Sequence, residues 1–539
     1  MQIKEETEAN CTGKTGKQNY TVERLELRKT NSFSSLLNDY LEDASELKPF
    51  YGNRPAIHEF SKQIEQKTIS PEKRQVLVER LQKQYEGLDI DNQTGQNIAD
   101  LQQSHTYTVT TGHQLNLFTG PLYFIYKIIS VINTCRQLSQ KYPDCKFVPV
   151  YWMATEDHDF EEISHFRLFG KEYKWQRDSR AAVGRMDLHG LKEQVFDQLD
   201  EELTTFKKSY LESDNLANAT RKLVHGLFGH LGLVIIDGDD KYLKQSFTPI
   251  IKDELLQRQS GSLVEESSAK LNDLGYTAQV FPREINLFYL TDKLRGRITF
   301  EQEKYQVVGS EITFTEKEIL EELEAFPERF SPNVLLRPLY QETILPNLAY
   351  IGGPAEIAYW FQLKTVFDHY ELPFPILMPR NFALVIGTVL ARKLEHLISD
   401  IEELFLDIKE LKAGYIARVS NHQPEIAQEM AAIAEWFEKI KAKAVAIDKS
   451  LDGFIGAEAN KTAKSLENIE KRLIKSEERN QETGIKQLEG LKEKLFPGGG
   501  LQERTDNFLN FYINNPCFVD DLVEILDPFD FSMYVIKYA

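Results

Sequence analysis

Cysteine is scarce in this chain of 539 residues. Its four cysteines, Cys11, Cys135, Cys145 and Cys517, are scattered without a C-x-x-C pair. They supply no framework for a structural zinc and fit free thiols in a reducing compartment. Positive charge is also short: 64 Lys and Arg face 83 Asp and Glu, a net −19. That balance argues against nucleic acid or an anionic membrane as the main partner. No run of about 18 apolar residues suggests a transmembrane helix. The opening MQIKEETEANCTGKTGKQ lacks the apolar stretch of a secretory signal. A cytoplasmic protein is expected. Familiar catalytic signatures are missing too. G-x-x-x-x-G-K-[ST] and G-x-S-x-G do not occur, and no G-x-G-x-x-G follows a strand. Neither a P-loop, a dinucleotide cofactor such as NAD, nor a serine nucleophile elbow is expected.

What is present changes along the chain. Residues 23–105 read as helical and polar. From 106 to about 160, strand TYTVT, helix LYFIYKIISVINTCRQL and strand KFVPVYWMAT alternate, as in a βαβ unit with a parallel sheet. HGLFGHLG before LVIID adds a helix-to-strand pair. Residues 277–315 alternate with turn signals and read as a mostly antiparallel insert. The expected core is therefore an α/β domain over 1–388. Beyond it, Leu390, Leu394, Leu397, Ile401, Leu404, Ile408 and Leu411 step by fours and threes. Ile426 to Phe454 continue that rhythm after Pro424, which is the seam of a coiled coil. The short VSNHQPE loop makes the two runs antiparallel neighbours. A Lys- and Glu-rich helix over 457–495 ends at PGGG. The arm spans 389–496, and 497–539 docks back on the core.

Three clusters carry candidate chemistry. TGHQLNLFTGPLY puts Gly112, His113, Gln114, Asn116, Thr119 and Gly120 where a strand hands over to a helix, with Lys127 two turns on. Ligands of open parallel sheets sit at such corners, where helix amides favour anions. The structural alternative is a plain cap, Thr119 capping and Pro121 opening the helix. ATEDHDFEEI crowds Glu156, Asp157, Asp159, Glu161 and Glu162 around His158 at the end of a buried strand. Such crowding needs a cation or a raised pKa. It could hold Mg²⁺, grip an ammonium group or supply a general base. LAYIGGPAEIAYW adds Tyr350, Gly352, Gly353 and Glu356, with Arg337 and Arg380 as cations for a phosphate or carboxylate.

These stretches, with RPLYQETILPNLAYIGGPAEIAYWFQL, MPR and PGGGLQER, resemble the bacillithiol-biosynthesis cysteine-adding enzyme family over nearly the whole chain. The resemblance implies a Rossmann-type parallel-sheet core with connecting insertions, plus a long α-helical coiled-coil arm. It implies an amide-forming ligase that adds L-cysteine to glucosaminyl-malate, the last step towards bacillithiol or a related thiol. The core is similar to that of class I aminoacyl-tRNA synthetases, whose His-x-Gly-His occupies the same corner. His113 departs from the family's usual Thr-Gly-Gln-Gln towards that motif. Lys-Met-Ser-Lys-Ser is missing, so the form of carboxylate activation stays open.

ATP is the expected cofactor, with or without Mg²⁺, because cysteine's carboxylate must be activated before an amine attacks it. The expected roles are Asp157, His158 and Asp159 in catalysis. Gly112, His113, Gln114, Asn116, Thr119, Gly120, Lys127, Glu156, Arg337, Tyr350, Gly352, Gly353, Glu356 and Arg380 would bind nucleotide or substrate. No protein-held metal is expected. A homodimer through the arm follows from its long apolar seam. Two other readings stand beside the ligase: a nucleotide-binding coiled-coil assembly or regulatory protein, and a metal-dependent hydrolase built on the EDHD cluster.

Overall fold

A computed structural model describes residues 5–7, 19–420, 422 and 424–539. The chain divides into two compact units, Met1–Val385 with Gly500–Ala539, and Ile386–Gly499.

The first unit is organised by five parallel strands: β1 (Thr106–His113), β2 (Lys146–Met153), β3 (Val234–Asp237), β4 (Asn347–Gly352) and β5 (Ile376–Pro379). They lie in the order β3-β2-β1-β4-β5, the doubly wound order whose direction reverses between β1 and β4. Every residue of β1 is buried, as befits a central strand covered on both faces. Its β-branched and aromatic residues suit a pleated, packed surface. Tyr107 and Val109 join Phe147, Leu348, Ile351, Ile376 and Met378 in one apolar core. Helix α1 (Tyr123–Lys141) returns the chain from β1 to β2 and is buried along most of its length. In register, Gly112 faces Trp152 and His113 faces Met153. Two further helices bear on the site, α2 (Arg337–Ile344) and α3 (Pro354–Trp360).

Strands Leu287–Leu290, Arg295–Glu301, Lys304–Val307, Thr313–Phe314 and Phe330–Pro332 form a separate antiparallel sheet. A tight hairpin joins Glu301 to Lys304, with Gln302 and Glu303 both at positive φ, the backbone that two-residue hairpins demand. One element escaped the sequence reading. Tyr20–Leu25, which overlaps the start of the stretch read as helical from residue 23, is a strand paired with Met533–Tyr538. Cys135 and Cys145 are free thiols. Cys517 is disulfide-bonded rather than free, and Cys11 lies outside the described residues.

The second unit is helical, but its helices break where the seam read as continuous. The run from Leu390 to Leu411 is split into α4 (Thr388–Leu397), a short 3-10 turn (Ile401–Phe405) and α5 (Ile408–Val419). Asp400 accepts from the Glu402 amide, and Asp407 from the Lys409 and Glu410 amides. Both aspartates start new helices by capping them. The second run stops at Ile447, where the Asp448 carboxylate turns back to the Ser450 amide. The antiparallel partners are therefore α6 (Ala427–Ile447) and α7 (Leu451–Asn480), joined at Asp448–Ser450, not helices joined through VSNHQPE. That loop includes Asn421 and Gln423, which lie outside the described residues. Helix α8 (Glu482–Leu495) buries Ile485, Leu488, Leu491 and Leu495 and ends before Pro497.

Candidate active site

The carboxyl ends of β1, β2, β4 and β5 open onto one cleft of about 1060 Å³, at the switch point between β1 and β4. Gly112, His113 and Gln114 line it from β1, Glu156, Asp157 and His158 from β2, and Tyr350, Gly353 and Glu356 from β4. Lys127, Arg337 and Arg380 complete the set of expected residues on its walls. Asn116, Thr119, Gly120, Asp159 and Gly352 do not line it.

The corner after β1 explains part of that division. Phe118 and Thr119 stand consecutively at positive φ, followed by Gly120, a conformation that costs about 1–3 kcal/mol for each non-glycine residue unless its surroundings enforce it. Here they do. The Tyr210 hydroxyl accepts from the Phe118 amide at 2.8 Å, and Asn507 donates to the Phe118 and Gly120 carbonyls at 2.8 and 2.6 Å. Asn116 donates to the Glu162 carbonyl at 3.0 Å, and a Cβ on Gly120 would lie 2.5 Å from Asn116 Cβ. Thr119 does not cap α1, and the Leu122 amide donates to the Asp506 carbonyl at 2.7 Å. These residues build the turn; the helix start is closed from within the chain.

Lys127 is buried and donates to the Gly112 carbonyl at 2.9 Å while pairing with Glu356 at 2.5 Å. Glu356 also accepts from the Tyr350 hydroxyl at 2.6 Å and from the Gly353 amide at 2.8 Å. Burial alone would raise its carboxyl, but Lys127, Tyr350 and Gly353 together hold it below the usual range. The N-terminus of α3 thus carries its own anion.

The acidic wall is equally committed. Glu156 pairs with buried Lys244. Gln114 Nε2 donates to Asp157 at 2.9 Å and to Glu162 at 2.7 Å, so one amide holds two carboxylates together. Burial would raise Asp157, but bonds from His158 and Gln114 and the Arg295 charge 3.6 Å away hold it well below the carboxylate range. Burial, with Asp157 and Asp159 nearby, lifts Glu162 instead. Arg295 Nη1 lies 3.0 Å from His158 Nδ1. The same imidazole nitrogen lies 3.5 Å from Asp157 Oδ1, so His158 Nδ1 stands between a guanidinium and a carboxylate. Asp159 accepts from the Glu162 amide at 3.4 Å and starts a short helix. Among the described residues, no group of three or more His, Cys, Asp or Glu side chains is placed to hold a metal ion.

The opposite side is basic. Arg380 pairs with Glu503 through both terminal nitrogens and packs on Tyr123. Arg337 donates to Gln341 at 3.0 Å and lies over Tyr350. A Cβ on Gly112 would sit 3.2 Å from the Tyr350 hydroxyl and 3.6 Å from Arg337 Nη1, so the missing side chain leaves that space to the cleft. Sequence reasoning missed Tyr123, Arg295 and the exposed Arg283, Arg297 and Arg504. The two arginines of LRGRITF and the one closing PGGGLQER were the available signals.

The chain matches two family descriptions, "Bacillithiol biosynthesis BshC, N-terminal Rossmann-like domain" over residues 20–381 and "Bacillithiol biosynthesis BshC, C-terminal coiled-coil domain" over 383–538. It belongs to the BshC family. Among curated BshC relatives, a "Putative cysteine ligase BshC" of Flavobacterium psychrophilum is 44% identical, covering 96% of this chain and 99% of its own. Proteins of the same name from Cytophaga hutchinsonii and Salinibacter ruber are 42% and 33% identical, covering 96% and 91% of this chain and 99% and 94% of their own. A solved chain described as a putative arginyl-tRNA synthetase of Campylobacter jejuni covers 79% of this chain and 96% of that one, at 9% identity. Its TM-score of 0.22 carries no argument. The Rossmann-like core and coiled-coil region of the BshC family agree with the expected fold.

Proposed function

We propose that this chain is a cysteine ligase that joins the carboxyl of L-cysteine to the amine of glucosaminyl-malate, the last step of bacillithiol synthesis, with ATP activating the carboxyl. The observation that carries the reading is the two-sided cleft at the switch point: committed carboxylates on one wall, cations on the other. A protonated amine is held by ionised Asp157 and by Glu162, which Gln114 keeps side by side. Asp157, held so far below its ordinary range, is a weak proton acceptor and binds rather than deprotonates. His158, steered by Arg295, is the group that exchanges the amine proton once its ring turns. Asp159 keeps only the capping role.

Exposed Arg283, Arg297 and Arg504 on the cleft are the residues that fit a nucleotide's phosphates, and bound ATP would supply the group that activates cysteine's carboxylate. The carboxylates at 156–162 do not fit a protein-held Mg²⁺, since Glu156 is paired with Lys244 and Gln114 holds Asp157 and Glu162. The same pairings weigh against the metal-dependent hydrolase. Purified chain, incubated with L-cysteine, ATP and glucosaminyl-malate, should yield the cysteine amide by mass spectrometry, with ATP consumed only when both substrates are present. ATP hydrolysis indifferent to cysteine and the absence of product would overturn the reading.

A homodimer through the arm belongs to the same proposal. Trp436, Ile440, Ile447, Phe454, Ile469 and Leu473 on α6 and α7 are large, apolar and exposed, more than scattered single residues account for. Replacing Trp436 and Phe454 by Glu should turn a dimer into a monomer in sedimentation. A wild-type chain that sediments as a monomer at micromolar concentration rules the dimer out.

A further inference from the structure

Three buried nitrogens on the cleft, His113 Nε2, Arg337 Nη2 and Arg380 Nε, have no hydrogen-bond partner among the described residues. A buried polar group left unpaired is costly, and folded proteins keep few of them. All three line the same cleft, and Arg380 Nε stands 3.9 Å from where a Cβ on Gly353 would lie. The His113 and Arg380 side chains pack on the same Tyr123 ring, at 5.4 and 5.3 Å. Arg337 and Tyr350 stand beside the Gly112 position, and Lys127 donates to the Gly112 carbonyl. His113 is 8% exposed and Arg380 2%. Burial, then Lys127 and Arg380, push the His113 imidazole well below its ordinary range, so it is neutral and free to donate from Nε2 in one tautomer.

The charges can be counted. Lys127 is balanced by Glu356 and Arg380 by Glu503. Arg337 has no carboxylate in ion-pair contact among the described residues, so this floor carries one uncompensated positive charge.

We infer that the floor formed by Arg337, His113 and Arg380 is a subsite for a single carboxylate group. Arg337 supplies the charge and a forked donor, and His113 and Arg380 supply the remaining hydrogen bonds. A triphosphate would bring about three further negative charges into a buried place that offsets one, a large desolvation cost. The subsite deepens the ligase reading and rests on it only for the source of the carboxylate, either the malyl group of the acceptor or cysteine itself.

Calorimetric titration of the full chain with L-malate, L-cysteine and inorganic phosphate tests this directly, without turnover. One of the two carboxylates should bind saturably at millimolar concentration, and malate or cysteine names the source. Arg337→Gln should weaken that binding by about tenfold or more, and Arg337→Lys by less, because a point charge replaces the fork. Gly112→Ala keeps every charge but fills the space under Tyr350, and should weaken the same ligand. Circular dichroism confirms that each variant is folded.

The proposal is overturned if the wild-type chain binds neither carboxylate. It also falls if a folded Arg337→Gln binds as tightly as wild type, or if inorganic phosphate displaces the ligand as well as a carboxylate does. A chain that makes no product yet loses carboxylate binding in Arg337→Gln keeps the subsite and discards the ligase.

Discussion

The two walls of the cleft are built on opposite plans. On the acidic wall, Glu156, Asp157 and Glu162 each have a hydrogen-bonding partner supplied by the chain, though the partner shared by Asp157 and Glu162 is the uncharged Gln114 amide. On the basic floor, three donors have no partner among the described residues. The contrast teaches that charge crowding in a sequence does not mark where a ligand is missing. The crowded carboxylates already have donors, and the buried donors without a partner lie on the basic side.

Breaking the buried Lys127–Glu356 pair should have the largest effect. Lys127→Met leaves Glu356 buried without its cation, and removing one partner of a buried pair costs about 3–5 kcal/mol. Urea denaturation should show that loss, with activity abolished; an unchanged midpoint would mean that Glu356 is neutral in the fold. Next, His158→Ala should lower turnover roughly 10²–10⁴-fold while stability holds. Turnover within a factor of three of wild type would move proton transfer elsewhere.

Gln114→Leu sharpens the comparison by unpairing the acidic wall alone. Losing its shared donor, Asp157 should titrate higher, and the KM for the amine should rise about tenfold with a smaller change in kcat. An equal fall in both would mean that Gln114 acts in the transition state.

The smallest effect concerns Asp506, whose carbonyl closes the start of α1. Burial lifts its carboxyl from 3.8 to about 6. A carboxyl raised by folding stabilises fully below the unfolded value and loses that contribution as pH rises through the folded one. Wild type minus Asp506→Asn should therefore show stability falling between about pH 4 and pH 6. A flat difference across that window would refute the shift.

Much of this molecule was legible in its residues, for reasons that can be stated. The run TYTVT, the buried helix after it and VPVYWMA predict β1, α1 and β2 because burial on both faces leaves an apolar, β-branched record. The clustering of Gly112–Gln114, Glu156–His158 and Gly353–Glu356 on one cleft follows from their positions at strand ends. The breaks in the arm were hidden, since the apolar spacing runs on through Asp400, Asp407 and Asp448 while their side chains cap new helices. The roles of Asn116, Thr119 and Asp159 were hidden as well. A polar residue at a strand mouth looks the same whether it faces a ligand or holds a turn. Glu503 and Asn507 could not be foreseen, because their partners lie more than a hundred residues away.

That last separation has a consequence in time. The cleft corner is braced by residues 503–507: Glu503 on Arg380, Asp506 on Leu122, Asn507 on Phe118 and Gly120. Arg380 and Glu503 are 123 positions apart, so a ribosome adding 5–20 residues each second needs roughly 6–25 s between them. During that interval the parallel sheet can be complete while Arg380 lacks its carboxylate and the left-handed turn at Phe118 and Thr119 lacks its clamp. The cleft is thus finished last, by a segment made after the arm, and a chain cut short anywhere in the arm keeps a sheet without a working corner.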